Sequence, residues 1–134
     1  YLYSPITQKA VVMSKVVLLI DDNPIDLMIN EKTLERYDSE IEIYKANGGE
    51  HALEMLKSGA CKPNCILLDI KMPVMNGFDF LDALITSGME VNFNIHMLSS
   101  SIDPSDLQQA EQSPIVKSYI EKPLSAPKLE KIQL

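Results

Sequence analysis

The stretch VVLLIDD, residues 16–22, decides how this chain folds: five apolar residues run straight into two adjacent aspartates. A continuous apolar run of this length reads as a strand buried on both faces. Asn23-Pro24-Ile25-Asp26 follows at once. It is a helix opening, with Asn as N-cap, Pro at the first helical position and an acid in the first turn. A buried strand therefore ends on two like charges and hands over to a helix. Adjacent carboxylates at such a place repel each other and resist desolvation. Either they are solvated at a sheet edge or a cation sits beside them.

The same grammar recurs down the chain. The first helix is expected to run to about Tyr37, and Ile41 to Tyr44, alternating with charge, reads as strand two. Glu50 to Lys57 reads as helix two, with Ala52, Leu53 and Leu56 at helical spacing and Gly59 as its stop. Cys65 to Leu68 is a second unbroken apolar run, and it too ends on an acid, Asp69. Pro73 and Asn76-Gly77 mark a loop before helix three, Phe78 to Thr86, whose apolar face is assigned to Phe78, Leu81, Leu84 and Ile85. Asn94 to Leu98 is strand four, followed by three serines. Asp103-Pro104-Ser105-Asp106 repeats the helix opening, Val116 to Ile120 is strand five, and a short fifth helix starts at Ser125.

Five strands alternating with five helices predict an α/β fold, a doubly wound parallel sheet with helices on both faces. The unbroken strands one and three belong in its centre, and strand two, carrying Glu42 and Lys45, suits an edge.

Bulk composition narrows the possibilities. The 134 residues suffice for one ordinary domain, and 46% hydrophobic with 23% charged residues is a globular composition. A formal net charge of −7 argues against binding nucleic acid non-specifically. Cys61 and Cys65, with two histidines, form neither a disulfide framework nor a zinc set; Cys65 reads as a strand residue and Cys61 as a loop thiol. His51 reads as exposed on helix two, His96 as a strand-four residue, and Met72 and Met75 as loop packing. No apolar run spans a bilayer. Residues 1–13 are expected to be an N-terminal extension, native or added, with the domain covering 14–134.

In a doubly wound sheet, ligands bind outside the carboxyl ends of the strands. Strand one ends in Asp21-Asp22, strand three in Asp69, strand four in Ser99 and strand five runs into Lys122. If strands one and three are neighbours, three carboxylates meet in one pocket. Two unit charges about 5 Å apart repel by roughly 3 kcal/mol at an effective dielectric of 20, so the cluster must protonate, stay wet or bind a cation. Hard oxygen donors with room for water suit Mg2+. Aspartate is also a nucleophile for phosphoryl transfer, and Lys122 and Ser99 supply positive charge and a hydrogen bond for phosphoryl oxygens.

With these residues in place, the sequence resembles the receiver domain of two-component response regulators. The resemblance covers nearly the whole chain and is carried by VVLLIDDNPIDLMI, LLDIKMPVMNGFDFLDAL, IHMLSSSIDPSD and YIEKPLS. It implies a flavodoxin-like (βα)5 sheet in the order 2-1-3-4-5. It also implies that Asp69 accepts a phosphoryl group from a phosphohistidine, with Mg2+ as cofactor. Asp22 then corresponds to a direct metal ligand, Asp21 to an acid acting through water, and the main-chain carbonyl of Lys71 to a further ligand. Ser99 takes the place of a Thr or Ser, and Lys122 that of the phosphate-pairing lysine, before a Pro123 usually joined by a cis bond. Tyr119 falls at the aromatic switch position, so that Ser99 and Tyr119 would move together and change the surface of helix four, strand five and helix five. Ser99 lacks the methyl of Thr and is less restrained in rotamer. Lys71 and Ser101 occupy positions that tune phosphoryl lifetime.

The expected partners are a sensor histidine kinase or histidine phosphotransfer protein and a downstream protein target, with phosphorylation-dependent dimerisation open. A cytoplasmic, stand-alone receiver is expected, not an enzyme beyond its own phosphorylation and dephosphorylation. The alternatives are a fragment of a longer regulator and an interaction module independent of phosphorylation. An aspartate-nucleophile phosphohydrolase fits less well, because such enzymes carry a second acid where this chain has Lys71.

Overall fold

A computed structural model describes residues 15–100 and 103–134. Its elements alternate as β1 (Val16–Ile20), α1 (Pro24–Tyr37), β2 (Glu42–Ala46), α2 (Gly49–Ser58), β3 (Cys65–Asp69), α3 (Gly77–Thr86), β4 (Asn94–Ser99), α4 (Pro104–Gln112), β5 (Val116–Glu121) and α5 (Ala126–Lys131). The expected boundary at residue 13/14 and the expectation for Ser101 lie outside the described residues.

All the strands pair in parallel in one sheet ordered β2-β1-β3-β4-β5. The central strand β3 is buried along its whole length, and the expected edge strand β2 is mostly exposed or half-buried. Period-two alternation divides β1 between two cores. Val17 and Leu19 pack with Leu27 and Leu34 of α1 and Leu129 of α5. Leu18 and Ile20 face the other way, towards Ala52 of α2, Phe80, Leu81 and Leu84 of α3 and Ala110 of α4. The helices are started by short-range chemistry. Asn23, Asp103 and Ser125 each accept a backbone N–H from the first turn that follows, and Asn76 and Asp79 form a reciprocal capping box. Gly59 and Gly88 leave their helices at φ of 79° and 74°.

Three local expectations change. Strand β2 extends to Ala46, where the Asp21 N–H donates to the Ala46 carbonyl at 3.2 Å and carries the β1–β2 pairing to the strand end. On α3, Phe80 is fully buried and Ile85 is 51% exposed. At 3.6 residues per turn the buried arc centres on Leu81 and Leu84; Phe78 and Ile85 share one margin of it, and only Phe78 is still covered. Cys61 lies in a loop but points into the core, where burial, helped by Glu42, pushes its thiol up to about 11. Burial holds Cys65 up at about 12.

Val74, in the β3–α3 loop, adopts φ of 68° with its side chain 95% exposed. A β-branched residue there is strained and gains nothing from packing. Val74→Gly is expected to stabilise the fold by about 1 kcal/mol, the left-handed penalty relieved less the extra entropy of glycine. The check is the denaturant midpoint, which rises with an unchanged slope.

Candidate functional site

The sheet order sets β1 beside β3, with Ile20 opposite Leu68. Their next residues, Asp21 and Asp69, therefore emerge side by side at the carboxyl edge. Asp21 is 2% and Asp69 5% exposed, while Asp22 is exposed. One carboxylate oxygen from each of the three lies within 4.8 Å of the others. On the other flank, β4 pairs with β5 so that Ser99 faces Glu121, and the Lys122 N–H donates to the Ser99 carbonyl at 2.7 Å. That turn delivers the Lys122 side chain into the acid cluster. Its Nζ lies 2.9 Å from Asp69 Oδ1, 3.0 Å from Asp21 Oδ2 and 3.1 Å from Asp26 Oδ2. The Lys122–Pro123 bond is cis, as the resemblance implies.

Charge and burial oppose each other here. The Asp69 carboxyl is pushed up to about 6: burial raises it most, the hydrogen bond and charge of Lys122 lower it, and the neighbouring Asp21 and Asp22 raise it further. Burial alone would lower Lys122, but hydrogen bonds and charge from Asp69, Asp21 and Asp26 outweigh it and raise this lysine well above its ordinary value. The ammonium is therefore permanently charged and acts as the cluster's counter-ion.

Asp21, Asp22, Asp69 and Lys122 come together as expected, with Ser99 fully buried alongside on β4. Tyr119 is half-buried lower on β5, opposite Met97, and packs against the core formed with α2 and α3. Lys71 stands two residues past Asp69, and its ammonium pairs with Asp106 of α4 at 3.2 Å, which raises it. His51 is exposed and its Nδ1 accepts the Asn47 N–H. His96 is buried on β4 and its Nδ1 shares a 2.7 Å hydrogen bond with Ser118 Oγ. Met72 is buried, and Met75 packs over Gly49.

Two contributors escape a reading by motif. Asp26 reads as a first-turn helix acid, yet it reaches Lys122; the signal was its place one turn past Asp22, where α1 begins over the same sheet edge. Gly77 reads as a turn residue. A Cβ there would lie 2.8 Å from the Asp69 carbonyl oxygen and 3.0 Å from Ile70 Cα, so glycine lets α3 start against the backbone that carries Asp69.

The donor set fits a small hard cation. It offers carboxylate oxygens from Asp21, Asp22 and Asp69 without a soft ligand, and exposure at Asp22 leaves room for water. No helix among the described residues is long and apolar enough to cross a membrane.

Comparison with known proteins agrees with this architecture. A family described as response regulator receiver domain matches residues 17–133. A two-component response regulator from Cytophaga hutchinsonii superposes with a TM-score of 0.81 at 31% identity, covering 90% of this chain and 95% of that one. The sensor histidine kinase CheAY of Helicobacter pylori is 34% identical over 110 residues, which is 82% of this chain and 13% of the kinase. The two-component response regulator ARR10 of Arabidopsis thaliana is 28% identical over 87% of this chain and 20% of its own length. The chain thus spans a small part of these two curated relatives.

The close approach at Gly77 generates a test. Gly77→Ala is expected to cost about 1–3 kcal/mol, typical of overpacking, and to displace the end of β3. Thermal melts check the first part. Backbone chemical shifts check the second, with the largest changes at Asp69 and Ile70.

Proposed function

This chain belongs to the response regulator receiver family of two-component signalling, and from that premise we propose that it takes a phosphoryl group onto Asp69 with the help of Mg2+. The single observation that carries the reading is Lys122 Nζ bridging Asp69 and Asp21 inside a cluster that also holds Asp22. A carboxylate oxygen of Asp69 forms the new bond to phosphorus as the donor's phosphorus–nitrogen bond breaks, and the electron pair stays on the departing imidazole. The Lys122 ammonium, already 2.9 Å from Asp69, pairs with a phosphoryl oxygen, and the Ser99 hydroxyl donates to another. Bound among Asp21, Asp22, Asp69 and the Lys71 carbonyl, Mg2+ would supply further positive charge to the phosphoryl oxygens. Ser99 drawn inward, and Tyr119 with it, would shift the population of the α4–β5–α5 surface towards a partner-binding form.

The donor is a phosphohistidine on a sensor kinase or a phosphotransfer protein. Ile25, Met28 and Ile29 support a face for it, since all three are exposed at helical spacing on the turns of α1 that follow the acid cluster.

Incubation with acetyl phosphate and Mg2+ is expected to add one phosphoryl group by intact-mass measurement. The gain disappears with a chelator and in Asp69→Asn, and no gain from any small donor or kinase would overturn the reading. Met28→Glu is expected to leave uptake from acetyl phosphate intact. It should slow transfer from the cognate phosphohistidine protein by about tenfold or more, as loss of a central apolar anchor does.

A further inference from the structure

Strand β5 forms an edge of the sheet, and cavities flank it on both sides. One, of about 480 Å³, lies between β5 and α5; another, of about 280 Å³, lies towards Leu107 and Glu111 of α4. Lys117, Ser118 and Tyr119 line both. The larger cavity is cationic in a chain whose net charge is −7: Lys117, Lys128 and Lys131 line it against one acid, Glu121. Lys128 is already committed, donating to the carbonyls of Glu121 and Pro123 at 2.7 and 2.9 Å. Lys117 and Lys131 are exposed, and among the described residues neither makes an ion pair or a side-chain hydrogen bond. At the floor lies His96, with Nδ1 held by Ser118 and its small remaining exposure.

We propose that this cavity and the adjoining β5 edge receive an extended acidic segment of the downstream protein. The segment's backbone runs along the strand, and its carboxylates meet Lys117 and Lys131. The inference rests on the reading that the α4–β5–α5 surface is the output face, and it adds the chemistry of what docks there. An edge strand offers unpaired backbone groups to any extended chain, and a lysine on it deters most of them. Lys117 and Lys131 turn that deterrent into a filter, because only a segment bringing negative charge neutralises them. Tyr119 lines both cavities, so movement of this ring alters the groove in which the segment lies.

The test uses the full chain and a short labelled peptide in which glutamate alternates with valine, titrated by fluorescence anisotropy with and without Mg2+ and beryllofluoride. The acidic peptide is expected to bind at least about tenfold more tightly than its glutamine counterpart, with the contrast falling as salt is raised. The Lys117→Gln/Lys131→Gln double variant should lose that preference while keeping its melting temperature, and Lys57→Gln, on α2 away from the groove, should keep it. Equal binding of both peptides, an equal loss in Lys57→Gln, or a dimer by light scattering that the peptide does not dissolve would overturn the proposal. Intact-mass measurement of phosphoryl uptake on the same samples separates the two readings. Uptake without lysine-dependent binding sinks this inference alone, and lysine-dependent binding without uptake sinks the phosphorylation reading alone.

Discussion

One ammonium group holds this architecture's working edge together. Lys122 Nζ lies about 3 Å from carboxylates of Asp69, Asp21 and Asp26, which come from the ends of two different strands and the first turn of a helix. At an effective dielectric of 20, each contact at that distance is worth roughly 5 kcal/mol of Coulomb attraction, against roughly 3 kcal/mol of repulsion for each acid pair about 5 Å apart. One lysine is thus enough to let the acids converge, and desolvation of the buried groups consumes much of the surplus. Remove the cation and the pocket must open to water or protonate. Asp69 sits on that balance: burial and the neighbouring acids outweigh the pull of Lys122 and leave its carboxyl raised, at about 6. The proposed phosphoryl transfer onto Asp69 needs an ionised oxygen that its surroundings do not fully satisfy, and this tension fits that demand.

The backbone delivers these side chains because a parallel sheet sends all its strands out at one end. Asp21 and Asp69 follow paired positions on neighbouring strands, and Lys122 leaves β5 through a main-chain bond to Ser99. Close packing then limits what else can stand there. The first turn of α3 approaches the Asp69 carbonyl so closely that only glycine fits at 77. Earlier in the loop that leads into α3, Val74 carries backbone strain while its side chain projects into solvent. Gly77 is thus fixed by packing, whereas Val74 is a position that stability alone would improve.

Much of this was legible in the residues themselves. Unbroken apolar runs ending in Asp, two Asn/Asp-Pro helix openings and the glycine stops marked the elements nearly to the residue, since each rests on local chemistry that tertiary packing does not override. Strand order came through resemblance; periodicity assigns strands, not their neighbours. What stayed hidden depended on angles and distances between elements. Ile85 and Phe78 occupy the same margin of a helix, and only Phe78 is covered. Cys61 looks like a loop thiol until the loop is seen to turn inward. Asp26 is an ordinary first-turn acid until the lysine of a strand nearly a hundred residues away reaches it.

Positive charge is placed sparingly along and beside β5. An acidic chain with 12 Lys and Arg against 19 Asp and Glu has few cations to spare, and their placement is informative. Lys122 points inward and is saturated by acids, while Lys117, five residues earlier, points outward with no described counter-charge. Between them on β5 lies Tyr119, packed on the core and lining both flanking cavities. Strand β5 pairs with β4 from Ser118 to Glu121, and the register shifts between Val116 and Ser118, so that Lys117 has no partner on β4. The same six-residue strand thus leads into the buried lysine of the acid cluster at one end and carries the exposed lysine at the other.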